Sequence, residues 1–119
     1  MDNNHGESNM NHAYCVITTT VDQLAIAEKI SESVIQRGLA ACVQIIPEVT
    51  SYYRWQGKVE KAQEYLLQFK TQQSLSDELM TYIKTVHAYE VPEIISTRID
   101  KIDPGYEKWL TMATNKDLS

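Results

Sequence analysis

The chain has few cysteines, few prolines and no long apolar run. Its two cysteines, Cys15 and Cys42, occur without an apolar segment of the kind that directs secretion. Two thiols in that setting argue against a disulfide framework and predict a reducing, cytoplasmic compartment. No apolar run approaches the ~20 residues that span a bilayer, so no membrane association is expected.

Positive charge is also scarce. Eleven Lys and Arg stand against 16 Asp and Glu, which gives a formal net charge of −5. A general nucleic-acid binder needs a basic face that displaces phosphate counterions, so nucleic acid is not an expected partner. The chain also lacks a phosphate-binding loop, a dinucleotide fingerprint and a C-x-x-C pair. We therefore expect no enzyme, no catalytic residues and no organic cofactor.

The sequence that remains alternates strand and helix patterns. Residues 1–12 are polar and predict a disordered tail, and residues 13–119 fit one domain with its own core. Residues 13–20, 39–55, 58–71 and 94–102 have strand patterns. Helical patterns start at N-caps Asp22 and Ser74 and at Asp103-Pro104, and the first two end at Gly38 and near His87.

This order, β-α-β-β-α-β-α, is typical of an α+β fold. It predicts a ferredoxin-like split β-α-β sandwich (βαββαβ) with an added C-terminal helix. Right-handed crossovers place the third strand between the first and the second. Cys15 and Cys42 then lie too far apart for a disulfide.

A long hairpin links the second and third strands. Its arms fold back at Gln56-Gly57, and each could exceed a dozen residues, whereas strands usually have roughly 5–6. Pro47 interrupts the first arm and predicts a bulge, because proline cannot donate to a strand ladder. A chain of this length cannot cover such a hairpin alone, so we expect it to pack on another copy.

Five segments carry a family resemblance: G-L-A-A-C-V-Q-I-I-P (38–47), Y-Y-R-W-Q-G-K (52–58), F-K-T (69–71), H-A-Y-E-V-P-E (87–93) and Y-E-K-W (106–109). In this order and spacing they resemble the CutA family of divalent-cation tolerance proteins over residues 13–114. The resemblance implies a cytoplasmic homotrimer of ferredoxin-like subunits, joined through their hairpins. It also implies a role in the response to divalent metal ions, copper in particular. Ala88 departs from the family's usual proline, and Thr18 stands where some bacterial relatives carry a cysteine implicated in copper binding.

A candidate metal site lies after the second helix. His87, Glu90 and Glu93 supply imidazole and carboxylate groups, which are sound ligands for Cu²⁺ or Zn²⁺, and we expect any such ion to be weakly bound. The spacing is not that of a rigid i, i+4 helical pair, because the chain leaves the helix before Pro92. The same residues also fit a hydrogen-bonded corner, and both interpretations stay open.

A second candidate site contains aromatic and basic side chains. It consists of Arg54, Trp55, Lys58, Tyr89, Tyr106 and Trp109. Such residues are the usual anchors of a protein interface. They could equally line a cleft for a small anion, as in a trimeric signalling module similar in architecture to the PII proteins, or belong to a purely structural trimer. In a trimer we expect the hairpin end of one chain to lie near residues 87–93 or 106–109 of a neighbour.

Overall fold

The computed structural model describes residues 13–114. The four strands are β1 (Tyr14–Val21), β2 (Cys42–Trp55), β3 (Lys58–Gln72) and β4 (Ile94–Arg98). The three helices are α1 (Leu24–Gln36), α2 (Ser76–Val86) and α3 (Pro104–Ala113), and a 3₁₀ turn, Gln73–Leu75, precedes α2. The predicted tail, residues 1–12, lies outside the described residues, as do residues 115–119.

The strands form one antiparallel sheet in the order β2-β3-β1-β4. This confirms the predicted α+β, ferredoxin-like topology, with the third strand between the first and the second. β1 pairs with β3 from Tyr14↔Gln72 to Val21↔Tyr65. Both cysteines are free, as the strand order requires. Within residues 13–114 no helix is long and apolar enough to cross a membrane.

The core lies between one face of the sheet and helices α1 and α2. Alternate residues of β1 and β3 point to this face, so their apolar side chains are fully buried. Each such side chain contributes roughly 1.5–3 kcal/mol on burial. The fully enclosed members are Cys15, Ile17, Leu67 and Phe69 from the strands, and Ala27, Val34, Leu79 and Ile83 from the helices.

The opposite face of the sheet, which we call the open face, is covered only at one end. There α3 contacts the sheet through Tyr14 Oη, which lies 2.6 Å from Thr111 Oγ1, and through Gln72 Nε2, which donates to Thr114 Oγ1 at 2.7 Å. The remainder of this face carries Val16 and Leu66 in the central strands and further isoleucines in the outer strands. Thr18, Gln44 and Gln68 lie on the same face, so the described residues leave a mixed surface with an apolar strip uncovered.

The hairpin is as long as the sequence indicated, with 14 residues in β2 and 15 in β3. The predicted bulge is confirmed: the register shifts between Ile46 and Val49, and Glu48 takes a φ of 59°. The predicted turn is confirmed too, since Gln56 and Gly57 both have left-handed backbones, with φ of 51° and 79°. Two such residues in succession match the twist of a tight hairpin.

Two predicted N-caps were wrong. The pairing of β1 continues to Val21, so Asp22 lies in the connection between the sheet and the helix. Gln23 occupies the N-cap position, without a side-chain hydrogen bond. The 3₁₀ turn takes up Ser74, and α2 begins two residues later. In both cases the end of the preceding strand, and not the polar residue, decides where the helix starts.

The other helix boundaries agree with the sequence. Gly38, with φ of 69°, ends α1, and Leu39 N donates to Val34 O at 3.1 Å. Asp103 Oδ2 accepts a hydrogen bond from Tyr106 N at 3.0 Å and caps α3.

The last strand, β4, is shorter than predicted. It ends at Arg98, which pairs with Cys15 of β1. One further hydrogen bond runs from Ile99 N to Tyr14 O at 2.9 Å. Residues 99–102, which the sequence pattern included in the strand, therefore lie beyond its end.

A matched pair of valine substitutions tests this assignment of the core. Val34 in α1 is fully buried, whereas Val86 at the end of α2 is 38% exposed. We expect Val34→Ala to lower the free energy of unfolding by about 2 kcal/mol, because it removes buried methyl groups and leaves a cavity. Val86→Ala should change it by less than about 0.5 kcal/mol. Urea titration at one fixed protein concentration measures both, and equal effects would contradict the assignment.

Candidate functional site

An open groove of about 700 Å³ lies where the outer half of the hairpin faces the loop between α2 and β4. The hairpin contributes Tyr52, Tyr53 and Trp55 from β2 and Glu64 from β3. The loop contributes residues 89–93, and Thr20 closes the groove at the end of β1. One wall is thus mainly aromatic, and the other, which we call the acidic wall, carries two of the three carboxylates of the groove, Glu90 and Glu93.

His87 fixes the loop that forms the acidic wall. Its Nδ1 accepts a hydrogen bond from Tyr89 N at 3.1 Å, so we assign the ring proton to Nε2. Nε2 then donates to Thr20 O at 2.8 Å, and Thr19 Oγ1 lies 3.1 Å away. Both ring nitrogens are therefore engaged, and the imidazole ties the loop to the end of β1. This is the hydrogen-bonded corner that the sequence left open.

Tyr89 links the loop to the hairpin. Its hydroxyl donates to Glu64 Oε2 at 2.7 Å, and its ring lies 4.8 Å from the imidazole of His87. Burial raises the pKa of the Tyr89 phenol, and the adjacent Glu64 carboxylate raises it further. The phenol therefore stays protonated and remains a hydrogen-bond donor at physiological pH.

Glu64 is the most enclosed acidic group of the groove. Its side chain is only 7% exposed, and its bond from Tyr89 is its sole hydrogen bond within residues 13–114. No Lys, Arg or His of that part of the chain forms an ion pair with it. The carboxylate thus has one protein donor, and its second oxygen is not enclosed, since Gln73 Oε1 is the only buried side-chain oxygen or nitrogen without a partner among the described residues.

The structure brings together some predicted site residues and separates others. Trp55, Tyr89, Glu90 and Glu93 line the same groove within a single chain. Arg54 and Lys58 do not line it, although both are close to Trp55 in the sequence. Among the described residues, the side chains that line the groove therefore include three carboxylates and no basic group.

Tyr106 and Trp109 lie away from the groove, on α3. Their ring centroids are 5.4 Å apart, and Tyr106 contacts the half-buried Cys42 at the start of β2. Burial raises the pKa of the Tyr106 phenol, and Cys42 adds to this effect. These two aromatic residues belong to the covered end of the open face.

Among residues 13–114 no three His, Cys, Asp or Glu side chains form a cluster that could hold a metal ion. Of the three predicted ligands, Glu90 and Glu93 are exposed at the groove, while both nitrogens of His87 are already hydrogen-bonded. The arrangement therefore offers carboxylate oxygens without a preformed coordination sphere.

Sequence reasoning missed Glu64. The alternation of β3, in which Leu67 and Phe69 face the core, places Glu64 on the other face. The sequence pattern therefore indicated the face on which Glu64 lies. It could not indicate the hydrogen-bond partner of Glu64, because Tyr89 lies 25 residues further along the chain.

Substitution of Tyr89 tests the bond that joins the two walls. Tyr89→Phe removes the only hydrogen-bond donor to a nearly buried carboxylate, and we expect a loss of about 1–3 kcal/mol in unfolding free energy. Tyr53→Phe is the matched control, since Tyr53 lines the same groove without a hydrogen bond to Glu64. The double variant Glu64→Leu/Tyr89→Phe should recover part of the loss, because neither polar group is then left alone. Equal effects of the two single tyrosine variants in urea titration would refute the assigned role.

Comparison with known proteins identifies the family. The profile of the family described as "CutA1 divalent ion tolerance protein" matches residues 15–113. Protein CutA of Mus musculus is 40% identical over 89 residues, which cover 75% of this chain and 50% of that protein. The divalent-cation tolerance protein CutA of Thermus thermophilus is 40% identical over 95 residues, 80% of this chain and 92% of that protein.

The fold agrees with the same family. The crystal structure of CutA1 from Oryza sativa superposes on this chain with a TM-score of 0.85 at 36% identity. The superposition covers 90% of this chain and 98% of that chain. The chain spans about half the length of the mouse and human curated relatives that it matches. The matched region and the shared architecture together show that this chain belongs to the CutA1 divalent ion tolerance family.

Proposed function

We propose that this chain acts as a homotrimer in the tolerance of divalent metal ions, and that it binds Cu²⁺ or Zn²⁺ weakly. Membership of a divalent ion tolerance family supports the role. The observation that carries the self-association is the open face of the sheet, which the chain's own helices cover only at one end.

The open face carries an apolar strip, although Thr18, Gln44 and Gln68 share that face. An antiparallel sheet can expose one face to water, but that face is then mainly polar. Here Ile46 is 40% and Ile95 51% exposed, and Val16 and Leu66 lie half-buried between them on the same face. A second and a third copy would remove this apolar surface from water.

The hairpin supports the same proposal. Its outer half leaves Tyr52, Trp55 and Val59 largely exposed, beyond the reach of α1 and α2. Packing of these side chains on a neighbouring copy would bury them. The CutA resemblance of the sequence favours three copies.

We place weak metal binding at the exposed carboxylates Glu90 and Glu93, with water as the remaining ligands. His87, the third predicted ligand, holds the loop that carries both carboxylates, and its nitrogens would have to leave Thr20 and Tyr89 to reach a metal ion. Two carboxylates without a fixed third ligand fit weak binding of divalent ions. The free thiols of Cys15 and Cys42 support a cytoplasmic location.

Substitution on the open face tests the self-association. Light scattering at micromolar concentration should give three times the 13.6 kDa mass of the chain. Ile95→Lys should lower this mass, because it places a charge in the proposed interface. Ile35→Lys is the matched control, since Ile35 is similarly exposed on α1, on the other side of the molecule. A wild-type monomer, or equal behaviour of both variants, would contradict the trimer.

Titration calorimetry tests the metal proposal. The metal-stripped protein should bind Zn²⁺ and Cu²⁺ weakly, and the double variant Glu90→Gln/Glu93→Gln should lose at least about tenfold in affinity. Glu28→Gln/Glu32→Gln on α1 is the control for general loss of negative charge. His87→Ala should mainly lower stability, because three polar contacts of the loop are lost. If the Glu90/Glu93 variant binds metal as tightly as the wild type, these two residues are not the ligands. If the wild type binds no metal, the proposal of metal binding is wrong and only the structural trimer remains.

A further inference from the structure

We propose that the groove between the hairpin and the loop of residues 89–93 is the docking site for the hairpin of a second copy of this chain. Arg54 and Lys61 of that copy would face the carboxylates of the groove, so the groove is complete only between two copies. This docking rests on the proposed self-association and deepens it, because it states which surface of one copy meets which surface of the next.

The outer half of the hairpin has one basic side. Arg54 lies directly opposite Val59 in the register of β2 and β3, and Lys61 follows two residues after Val59, so the three side chains project from the same side. Val59 is 76% exposed, and both cations are exposed as well. Neither cation forms an ion pair within residues 13–114. This side, which we call the basic side, is therefore an uncovered surface with two unpaired positive charges.

The groove has the opposite charge and lies on the opposite side of β3. Glu64 stands three residues after Lys61 in this strand, so the two side chains point away from each other. Together with Glu90 and Glu93 of the facing loop, Glu64 gives the groove its three carboxylates. Lys58 shares the side of Glu64 but does not line the groove. One hairpin thus separates a positive surface from a negative one, and the two surfaces are complementary between copies.

The groove is continuous with the open face of the sheet. Thr20 closes the groove and pairs with Leu66, whose side chain lies on the open face. A copy that covers the open face therefore reaches the groove as well. Tyr53 and Trp55, which line the groove and are 47% and 46% exposed, would be buried by the same contact. Aromatic side chains are common anchors of such interfaces.

The position of the two charged surfaces determines how copies can be joined. A two-fold pair brings the same surface patches of both copies together, so a single neighbour would have to contact the basic side and the groove at once. The two surfaces point in opposite directions, and one neighbour cannot reach both. A head-to-tail contact instead leaves one groove and one basic side free, and further copies use them until the ring closes. The charge pattern therefore favours a closed ring, such as the proposed trimer, over a two-fold dimer.

Charge reversal with compensation tests the docking. Light scattering in increasing urea, at one protein concentration, gives the midpoint at which the trimer dissociates. We expect Arg54→Glu/Lys61→Glu and Glu90→Lys/Glu93→Lys each to lower this midpoint by at least about 0.5 M, because like charges then meet at every contact. The variant with all four substitutions should regain most of the loss, since opposite charges face each other again.

A matched control separates local pairing from net charge. Glu28 and Glu32 are exposed on α1, on the other side of the molecule. Adding Glu28→Lys/Glu32→Lys to Arg54→Glu/Lys61→Glu restores the net charge as fully as the groove substitutions do, but it should give no recovery of the midpoint.

Two results would overturn the docking while the trimer stands. They are wild-type midpoints in both reversal variants, and a recovery in the fourfold groove variant no larger than in the α1 control. A wild-type protein with the mass of a monomer would instead overturn the proposed trimer, and the docking with it.

Discussion

Strand β3 forms hydrogen-bonded ladders on both of its edges, with β1 on one side and β2 on the other. Its inner half carries Leu67 and Phe69 into the core, and its outer half extends beyond the helices as part of the hairpin. One continuous strand therefore connects the packed core to the groove. The position of Glu64, at the boundary of the two halves, follows from the register that the buried residues impose on this strand.

The groove depends on a second connection, which is made by the loop after α2. His87 bonds the loop to the end of β1, and Tyr89 bonds it to Glu64 across the groove. A peptide segment without regular structure is thereby held at both walls. The groove is thus built from a strand pair and a loop that hydrogen bonds tie to the sheet.

The sequence predicted those features that depend on local patterns. Alternation in β3, the glycines at 38 and 57 and the proline at 47 all correspond to local backbone requirements, and each was located correctly. Features that depend on a distant partner were not predictable: Asp22 and Ser74 fail as caps because strand pairing sets where the helices begin. Arg54 and Lys58 do not line the groove that Trp55 lines, although both are close to it in the sequence.

The bulge at Pro47 and Glu48 divides the hairpin into two segments with separate registers. The buried residues fix the register of the strand pairs on the inner side of the bulge. The register of the outer pairs depends only on the turn at Gln56 and Gly57. Insertions or deletions of two residues in each arm beyond the bulge would leave Leu67 and Phe69 facing the helices. A paired change of this kind therefore alters the length of the outer arm without changing which side chains of β3 enter the core.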